Sequence, residues 1–201
     1  GWAGQHTGSL TAMFMGVPGL KVVVPSTAAD AKGLMATAIR DDNPVVFLHH
    51  YLLTLEPGEV PDGEHLVPFG KAEIRRAGGD VTIVATAWMV HRALAAAKKL
   101  AEEGIQAEVI DPRTVEPLDL ETILKSVAKT GRLVLADQAP RHVSVSGIIA
   151  GDVAERGFSS LKAPIVQVTA RDATVPYSEP LEAYVIPDEE RIVAGVRSVL
   201  K

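Results

Sequence analysis

The stretch from Leu20 to Leu48 reads LKVVVPSTAADAKGLMATAIRDDNPVVFL, and its pattern predicts a strand, a helix and a second strand. The first run, Leu20–Val24, is apolar without alternation, which is typical of a parallel strand that is covered on both faces. Ser26 or Thr27 can then cap the helix. The second strand is Val45–Leu48. The small and apolar residues that share one face of the helix are Ala31, Leu34, Met35, Ala38 and Ile39.

Strand and helix patterns continue to alternate beyond this unit. The predicted strands are Asp80–Thr86, Ala107–Asp111, Arg132–Ala136 and Ile165–Thr169. The predicted helices are Val90–Glu103, the segment from the cap Asp119 to Gly131, Ser146–Arg156 and the segment from Asp188 to Leu200. Such alternation predicts an α/β fold of three layers, with a mostly parallel sheet between helices.

One segment departs from this pattern. Residues 54–70 are rich in Pro, Gly and acids and have no period, which is typical of a linker. We therefore expect two units, one over residues 1–53 and a second over residues 71–201.

Composition and charge exclude several classes of protein. The chain has 201 residues, of which 47% are hydrophobic and 22% are charged, so it can bury a substantial core. Its net charge is -5 and no basic stripe occurs, which argues against a nucleic-acid partner. No apolar run is long enough to span a bilayer. Because cysteine is absent, disulfides and thiolate chemistry are excluded, and we expect a cytoplasmic protein without a membrane partner.

Three segments carry a resemblance to a known family. They are Gly4–Leu48, which begins with GQHTGSL and continues through VPGLKVVVPST and DAKGLMATAIRDDNPVVFL, AEVIDPRTVEPLDLETI (Ala107–Ile123) and DATVPYSEPLEAYVIPDEERIV (Asp172–Val193). In this order they resemble the β subunit of thiamine-diphosphate-dependent 2-oxo acid dehydrogenases, which include pyruvate, branched-chain and acetoin enzymes, within the transketolase family. The resemblance implies that residues 1–53 are the C-terminal part of a pyrimidine-binding domain and that residues 71–201 are a transketolase-type C-terminal domain.

The resemblance also implies a chemistry and a set of partners. Such enzymes use thiamine diphosphate and Mg²⁺ to decarboxylate a 2-oxo acid, or to cleave acetoin, and pass the acyl unit to a lipoyl group. The implied partners are an α subunit, a second copy that associates through the C-terminal domain, and the binding domain of a lipoyl acyltransferase. The family's thiamine-activating glutamate precedes the region that matches Gly4, so no cofactor-binding residue is assigned. The start GWAGQH lacks an initiating Met, and we expect this chain alone to bind no cofactor and to be inactive.

His6 is the one catalytic candidate. It matches the family's Q-H-S/T position, where a histidine reaches the mouth of the active site and assists the acyl intermediate or its transfer. An imidazole titrates near neutral pH, which suits such proton transfer. The alternative is a structural histidine just before a helix that Thr7 or Ser9 caps.

A cation site is expected at the end of the first predicted helix. The segment AIRDDNP resembles a place where relatives hold K⁺ through backbone oxygens, which implies Ala38, Asp41 and Asn43 as ligands. Carbonyl groups at a helix C-terminus lack helical partners, so a hard cation is reasonable there. The alternative is an ordinary polar helix end.

Other features leave the substrate and even the class of function open. His49 stands where many relatives have an acid, and ADQAPRHVSVSGII (Ala136–Ile149) departs from the common family form. Asp188-Glu189-Glu190 can stabilise a helix N-terminus or attract a basic partner. The alternatives are a non-catalytic module for dimerisation and docking, and a transketolase or deoxyxylulose-phosphate-synthase relative. The segment DPRTVEPLD argues against the latter.

Overall fold

Two β-sheets organise residues 6–201, which are the part of the chain that the computed structural model describes. The strands are β1 (Lys21–Val23), β2 (Val45–Phe47), β3 (Glu73–Arg76), β4 (Val81–Ala85), β5 (Ala107–Asp111), β6 (Thr114–Glu116), β7 (Leu133–Pro140) and β8 (Val166–Ala170). The helices are α1 (Thr11–Met15), α2 (Ala28–Ile39), α3 (Trp88–Glu102), α4 (Leu120–Thr130), α5 (Val145–Arg156), α6 (Glu179–Val185) and α7 (Glu189–Val199).

The larger sheet is the centre of a three-layer structure. Its strand order is β3-β5-β4-β7-β8, and all neighbouring strands are parallel except β3, which pairs antiparallel with β5. Helices α3 and α7 pack on one face and α4 and α5 on the other, each over its own apolar cluster. The α/β class and the mostly parallel sheet are therefore confirmed.

The central strands are apolar because helices cover both of their faces. Every residue of β4 and β5 is buried, so these strands show no alternation in sequence. Predicted helix ends are also confirmed where a side chain caps the backbone. Asp119 accepts a hydrogen bond from the amide of Thr122, and Gly131 ends the same helix with a φ of 74°, a conformation that favours glycine.

The smaller sheet joins the two halves of the sequence. Its order is β2-β1-β6, so the predicted strand-helix-strand unit gains an antiparallel strand from the DPRTVEP segment. Strand β6 was not predicted, because it is short and β1, the strand with which it pairs, lies far away in sequence. Arg113 turns the chain between β5 and β6 with a φ of 60°.

Residues 54–70 pack on the first unit over part of their length. Val67 is buried against α2, where its amide donates to the Gly33 carbonyl at 3.3 Å and its carbonyl accepts from Thr37 Oγ1 at 2.8 Å. The division into residues 1–53, 54–70 and 71–201 stays a prediction.

Within residues 6–201, no helix combines the length and the apolar character that crossing a bilayer requires. The cytoplasmic location stays a prediction.

Candidate functional site

A cleft of about 180 Å³ lies at the carboxyl ends of β4 and β7. These neighbouring parallel strands continue into α3 and α5, which cover opposite faces of the sheet. Open α/β sheets bind ligands at such a switch point. The lining comes from Val24 and from four segments of the chain, which are residues 6–11, 48–51, 86–88 and 137–138.

The two strand ends hold the floor of the cleft in a defined shape. Ala87 has a φ of 48° and a ψ of -124° between β4 and α3, a conformation that residues with a side chain rarely adopt. Asp137 is buried, and its Oδ2 accepts hydrogen bonds from Ser144 Oγ at 2.5 Å and from the Val145 amide at 3.0 Å. Asp137 therefore fixes the loop after β7 rather than offering a free carboxylate to the cleft.

His6 lies at the mouth of this cleft. Its side chain is exposed, whereas the adjacent Thr7 is buried. The Thr7 carbonyl accepts a hydrogen bond from Gln138 Nε2 at 3.1 Å, and Thr7 Oγ1 donates to Glu182 at 3.0 Å. Helix α1 follows, but its N-cap is Leu10 and no side chain caps it, so neither Thr7 nor Ser9 has the capping role of the alternative interpretation. The catalytic role of His6 stays a prediction.

His50 lines the same cleft as His6. Its Nε2 lies 2.8 Å from Gln138 Oε1, and its Nδ1 lies 3.3 Å from the Leu52 amide nitrogen. The ring stacks on Trp88 with centroids 6.0 Å apart, and His91 also stacks on Trp88 at 5.3 Å. Burial lowers the pKa of His50 below its usual 6.5, although the hydrogen bond with Gln138 acts in the opposite direction.

A second cavity of about 510 Å³ adjoins the cleft and shares part of its lining. The side chains common to both cavities are His50, Trp88 and Gln138. Its far side is acidic and comes from α6 and the start of α7, while Arg92 of α3 also lines it.

The acidic run at the start of α7 is paired within the chain. Asp188 caps the helix and accepts from the Arg191 amide at 2.9 Å. Glu189 accepts from Arg92 at 2.5 Å, and Glu190 pairs with Lys99. These contacts support the helix-stabilising interpretation of the run, and attraction of a basic partner stays a prediction.

At the expected potassium site, the ammonium group of Lys21 already contacts the carboxylate of Asp41. Asp41 pairs with Lys21 Nζ and accepts from the amide and side chain of Asn43 at 2.9 and 3.0 Å. These contacts, with Lys21 first, lower the pKa of Asp41 to about 2. The Ala38 carbonyl accepts from the Asp41 amide at 3.3 Å. K⁺ binding by Ala38, Asp41 and Asn43 stays a prediction.

The cleft does not fit an entire thiamine diphosphate from the described residues alone. Pockets for such ligands usually enclose roughly 300–1,000 Å³, which exceeds the about 180 Å³ of this cleft. Within residues 6–201 no three His, Asp or Glu side chains are grouped to hold a metal ion. Binding of thiamine diphosphate and Mg²⁺ therefore stays a prediction for the assembled enzyme.

The sequence contained a signal for the residues that our predictions missed. Thr86, Asp137 and Gln138 follow predicted parallel strands, and such strand ends meet at one edge of a sheet. Their proximity could have been anticipated, but the contacts of Gln138 with Thr7 and His50 depend on the three-dimensional fold.

Comparisons with known proteins agree with this geometry. Residues 70–192 match the family described as "Transketolase, C-terminal domain", and residues 3–54 match "Transketolase, pyrimidine binding domain". Over 99% of its length the chain is 48% identical to the "Acetoin:2,6-dichlorophenolindophenol oxidoreductase subunit beta" of Cupriavidus necator, and it covers 59% of that protein. It is 41% identical to the "Pyruvate dehydrogenase E1 component subunit beta" of Bacillus subtilis, with 98% of this chain and 60% of that protein covered.

A solved structure shares the fold. It is described as "Split gene transketolase, inactive beta4 tetramer" and superposes with a TM-score of 0.79 at 28% identity, covering 94% of this chain and 60% of that one. The chain thus spans about 60% of the length of the relatives it matches. The chain belongs to the transketolase family, and within it resembles the β subunits of acetoin and 2-oxo acid dehydrogenases.

Proposed function

We propose that this chain supplies the β-subunit wall of the active site in a thiamine-diphosphate-dependent 2-oxo acid or acetoin dehydrogenase. The observation that supports this most directly is the position of His6, at the mouth of a cleft at the switch point of the sheet. The similarity to acetoin and pyruvate dehydrogenase β subunits supports the same activity.

In this proposal the residues of the chain orient and move protons rather than form the covalent intermediate. Thiamine diphosphate with Mg²⁺, held mainly by residues outside this cleft, supplies the electron sink for decarboxylation. The exposed imidazole of His6 gives or takes a proton as the acyl unit leaves. Trp88 and His50 stack on each other and line the same cleft as His6.

The partners follow from the same proposal. An α subunit completes the cofactor site, a second copy associates through residues 71–201, and the binding domain of a lipoyl acyltransferase docks on the assembly. K⁺ at Ala38, Asp41 and Asn43 would stabilise the end of α2. This stabilisation by K⁺ can be tested by comparing the melting temperatures of the protein in KCl and in NaCl at equal ionic strength.

The first test measures cofactor binding by calorimetry, with and without an α partner. We expect thiamine diphosphate and Mg²⁺ to bind the mixture, and the chain alone to show no turnover because the resemblance places the thiamine-activating glutamate outside it. Decarboxylation of a 2-oxo acid by the chain alone would contradict this expectation.

The second test replaces the proposed proton carrier. We expect His6→Gln to lower kcat for dye-linked oxidation by the assembled enzyme by about a hundredfold or more, since general acid-base groups contribute that much. His142→Gln is the matched control, because the His142 side chain is 63% exposed outside the cleft. Equal kcat values for the two variants would argue against a catalytic role for His6.

A non-catalytic assembly module is the second candidate. It is favoured by the description of the structural relative as an inactive β4 tetramer. Thiamine diphosphate titration with and without the α partner separates the two candidates. Cofactor-dependent turnover by the mixture argues against the module, and so would measurable binding by the chain alone.

A further inference from the structure

The position of His6 depends on its buried neighbour. Thr7 is 3% exposed, and both of its polar groups contact other elements of the fold. Its carbonyl accepts from Gln138 near the end of β7, and its hydroxyl donates to Glu182 of α6. Because one peptide bond links the two residues, whatever fixes the Thr7 backbone also limits where the imidazole of His6 can reach.

The hydrogen bonds around Gln138 can be oriented in only one consistent way. The Leu52 amide can only donate, so His50 Nδ1 must accept and the proton must lie on Nε2. The Nε2 proton then points to Gln138 Oε1, and the amide nitrogen of Gln138 points to the Thr7 carbonyl. A flipped Gln138 would place two donors together at His50 and two acceptors together at Thr7.

We propose that Gln138 and neutral His50 are positioning residues that hold the Thr7 backbone, and with it His6, at the mouth of the cleft. The proposal rests on the proposed function only for what His6 does there. Both residues are themselves anchored. Asp137, next to Gln138 in β7, ties the end of this strand to the start of α5, and Trp88 stacks on His50.

Burial strengthens this arrangement. Protonation of His50 on Nδ1 would replace an acceptor by a donor facing the Leu52 amide and would put a charge into a half-buried site. The lowered pKa of His50 agrees with a neutral ring. The charged groups that line the adjoining cavity beside His50 are Arg92, Glu179, Glu182, Asp188 and Glu189.

The test reads the Thr7–Gly8 peptide bond directly by NMR of the ¹⁵N-labelled chain. A hydrogen bond to the Thr7 carbonyl polarises this peptide bond, so its loss in Gln138→Leu should shift the Gly8 amide proton upfield. His50→Gln should preserve the Gly8 signal, because its amide nitrogen can replace Nε2 as the donor to Gln138. Gln106→Leu is the matched control, since Gln106 pairs with Arg76 away from the cleft. The His50 ring should show a protonated Nε2 and an unprotonated Nδ1.

Activity of the assembled enzyme gives the second reading. We expect Gln138→Leu to lower kcat by up to about a hundredfold with little change in KM, because a small displacement of a reacting group costs that much. A Gly8 signal that is unchanged in Gln138→Leu, or a His50 ring protonated on Nδ1, overturns the proposal. A Gly8 signal that moves while kcat equals that of Gln106→Leu also overturns it. Absence of activity in the unaltered enzyme contradicts the proposed function instead, and the NMR signals then decide this inference alone.

Discussion

At the scale of single residues, the site is built by neighbours in sequence that have opposite environments. His6 is exposed and Thr7 buried, and likewise His49 is exposed whereas His50 is half-buried. In each pair one side chain anchors the backbone and the other is free to face the cleft. Asp137 and Gln138 also differ in their contacts. Asp137 accepts from Ser144 in the segment after β7, whereas Gln138 bonds Thr7 and His50.

His50 makes stability depend on pH in a defined direction. Burial lowers its pKa in the folded state below 6.5, so the unfolded chain binds more protons as the solution is acidified. Its contribution to stability is therefore complete above pH 6.5 and is lost as pH falls from there through the lower pKa of the folded state. Urea unfolding should show that the unaltered chain loses more stability between pH 8 and pH 5 than the His50→Gln variant does. The reason is that the glutamine side chain at position 50 does not titrate. The same loss in both proteins would rule out this role.

At the scale of elements, capping decides where the helices begin and how they attach to the sheet. Asp119 does more than cap α4. Its Oδ2 also accepts from the Ala72 amide at 3.0 Å, which ties the chain just before β3 to the helix. Asp188 similarly begins α7, while the acids after it bind side chains of α3. Acidic residues at these helix starts therefore have structural roles within the chain.

Removal of the α4 cap should destabilise the molecule measurably. We expect Asp119→Ala to lower the free energy of unfolding by about 1–2 kcal/mol, because the amides of Thr122 and Ala72 lose their acceptor. Asp119→Asn retains an acceptor oxygen and should cost clearly less. Urea denaturation of both variants measures the difference, and equal losses would show that the charge rather than the cap matters.

At the scale of the whole molecule, a buried ionic cluster joins the two sheets. Asp30 belongs to α2 beside the smaller sheet, whereas Arg75 and Asp111 belong to β3 and β5 of the larger one. Arg75 contacts both carboxylates, at 2.9 Å in the case of Asp111, and Arg113 reaches Asp30 at 3.2 Å. The Asp111 side chain is completely buried, so it depends on these partners.

Loss of the central cation should be costly. We expect Arg75→Met to lower the free energy of unfolding by about 3 kcal/mol or more, since two buried carboxylates lose a partner. Arg156→Met is the matched control. Its ion pair with Glu121 is exposed, so its loss should cost less than about 1 kcal/mol. Chemical denaturation measures the free energy of unfolding of both variants. Similar losses in the two would contradict a linking role for the cluster.

The regular elements could be predicted, whereas the short ones could not. Strands β4, β5 and β7 and helices α3, α4 and α7 each show a period or an apolar run within their own sequence. Strands β3 and β6 and helix α6 are brief and contain exposed residues, so their conformation depends on partners distant in sequence. For the site, the QHT segment identified His6, but nothing local to Gln138 or His50 indicated that they meet beside it.

The amino-acid sequence by itself determined the α/β class, the family and the candidate His6, because periodicity and motifs are local properties of the chain. Only the tertiary structure decided that β6 joins β1, that Arg75 and Arg113 pair with carboxylates of α2 and β5, and that Gln138 contacts both Thr7 and His50. The physical reason is that hydrogen bonds and ion pairs between distant residues require both partners to be in place. Only the folded sheets bring those partners together.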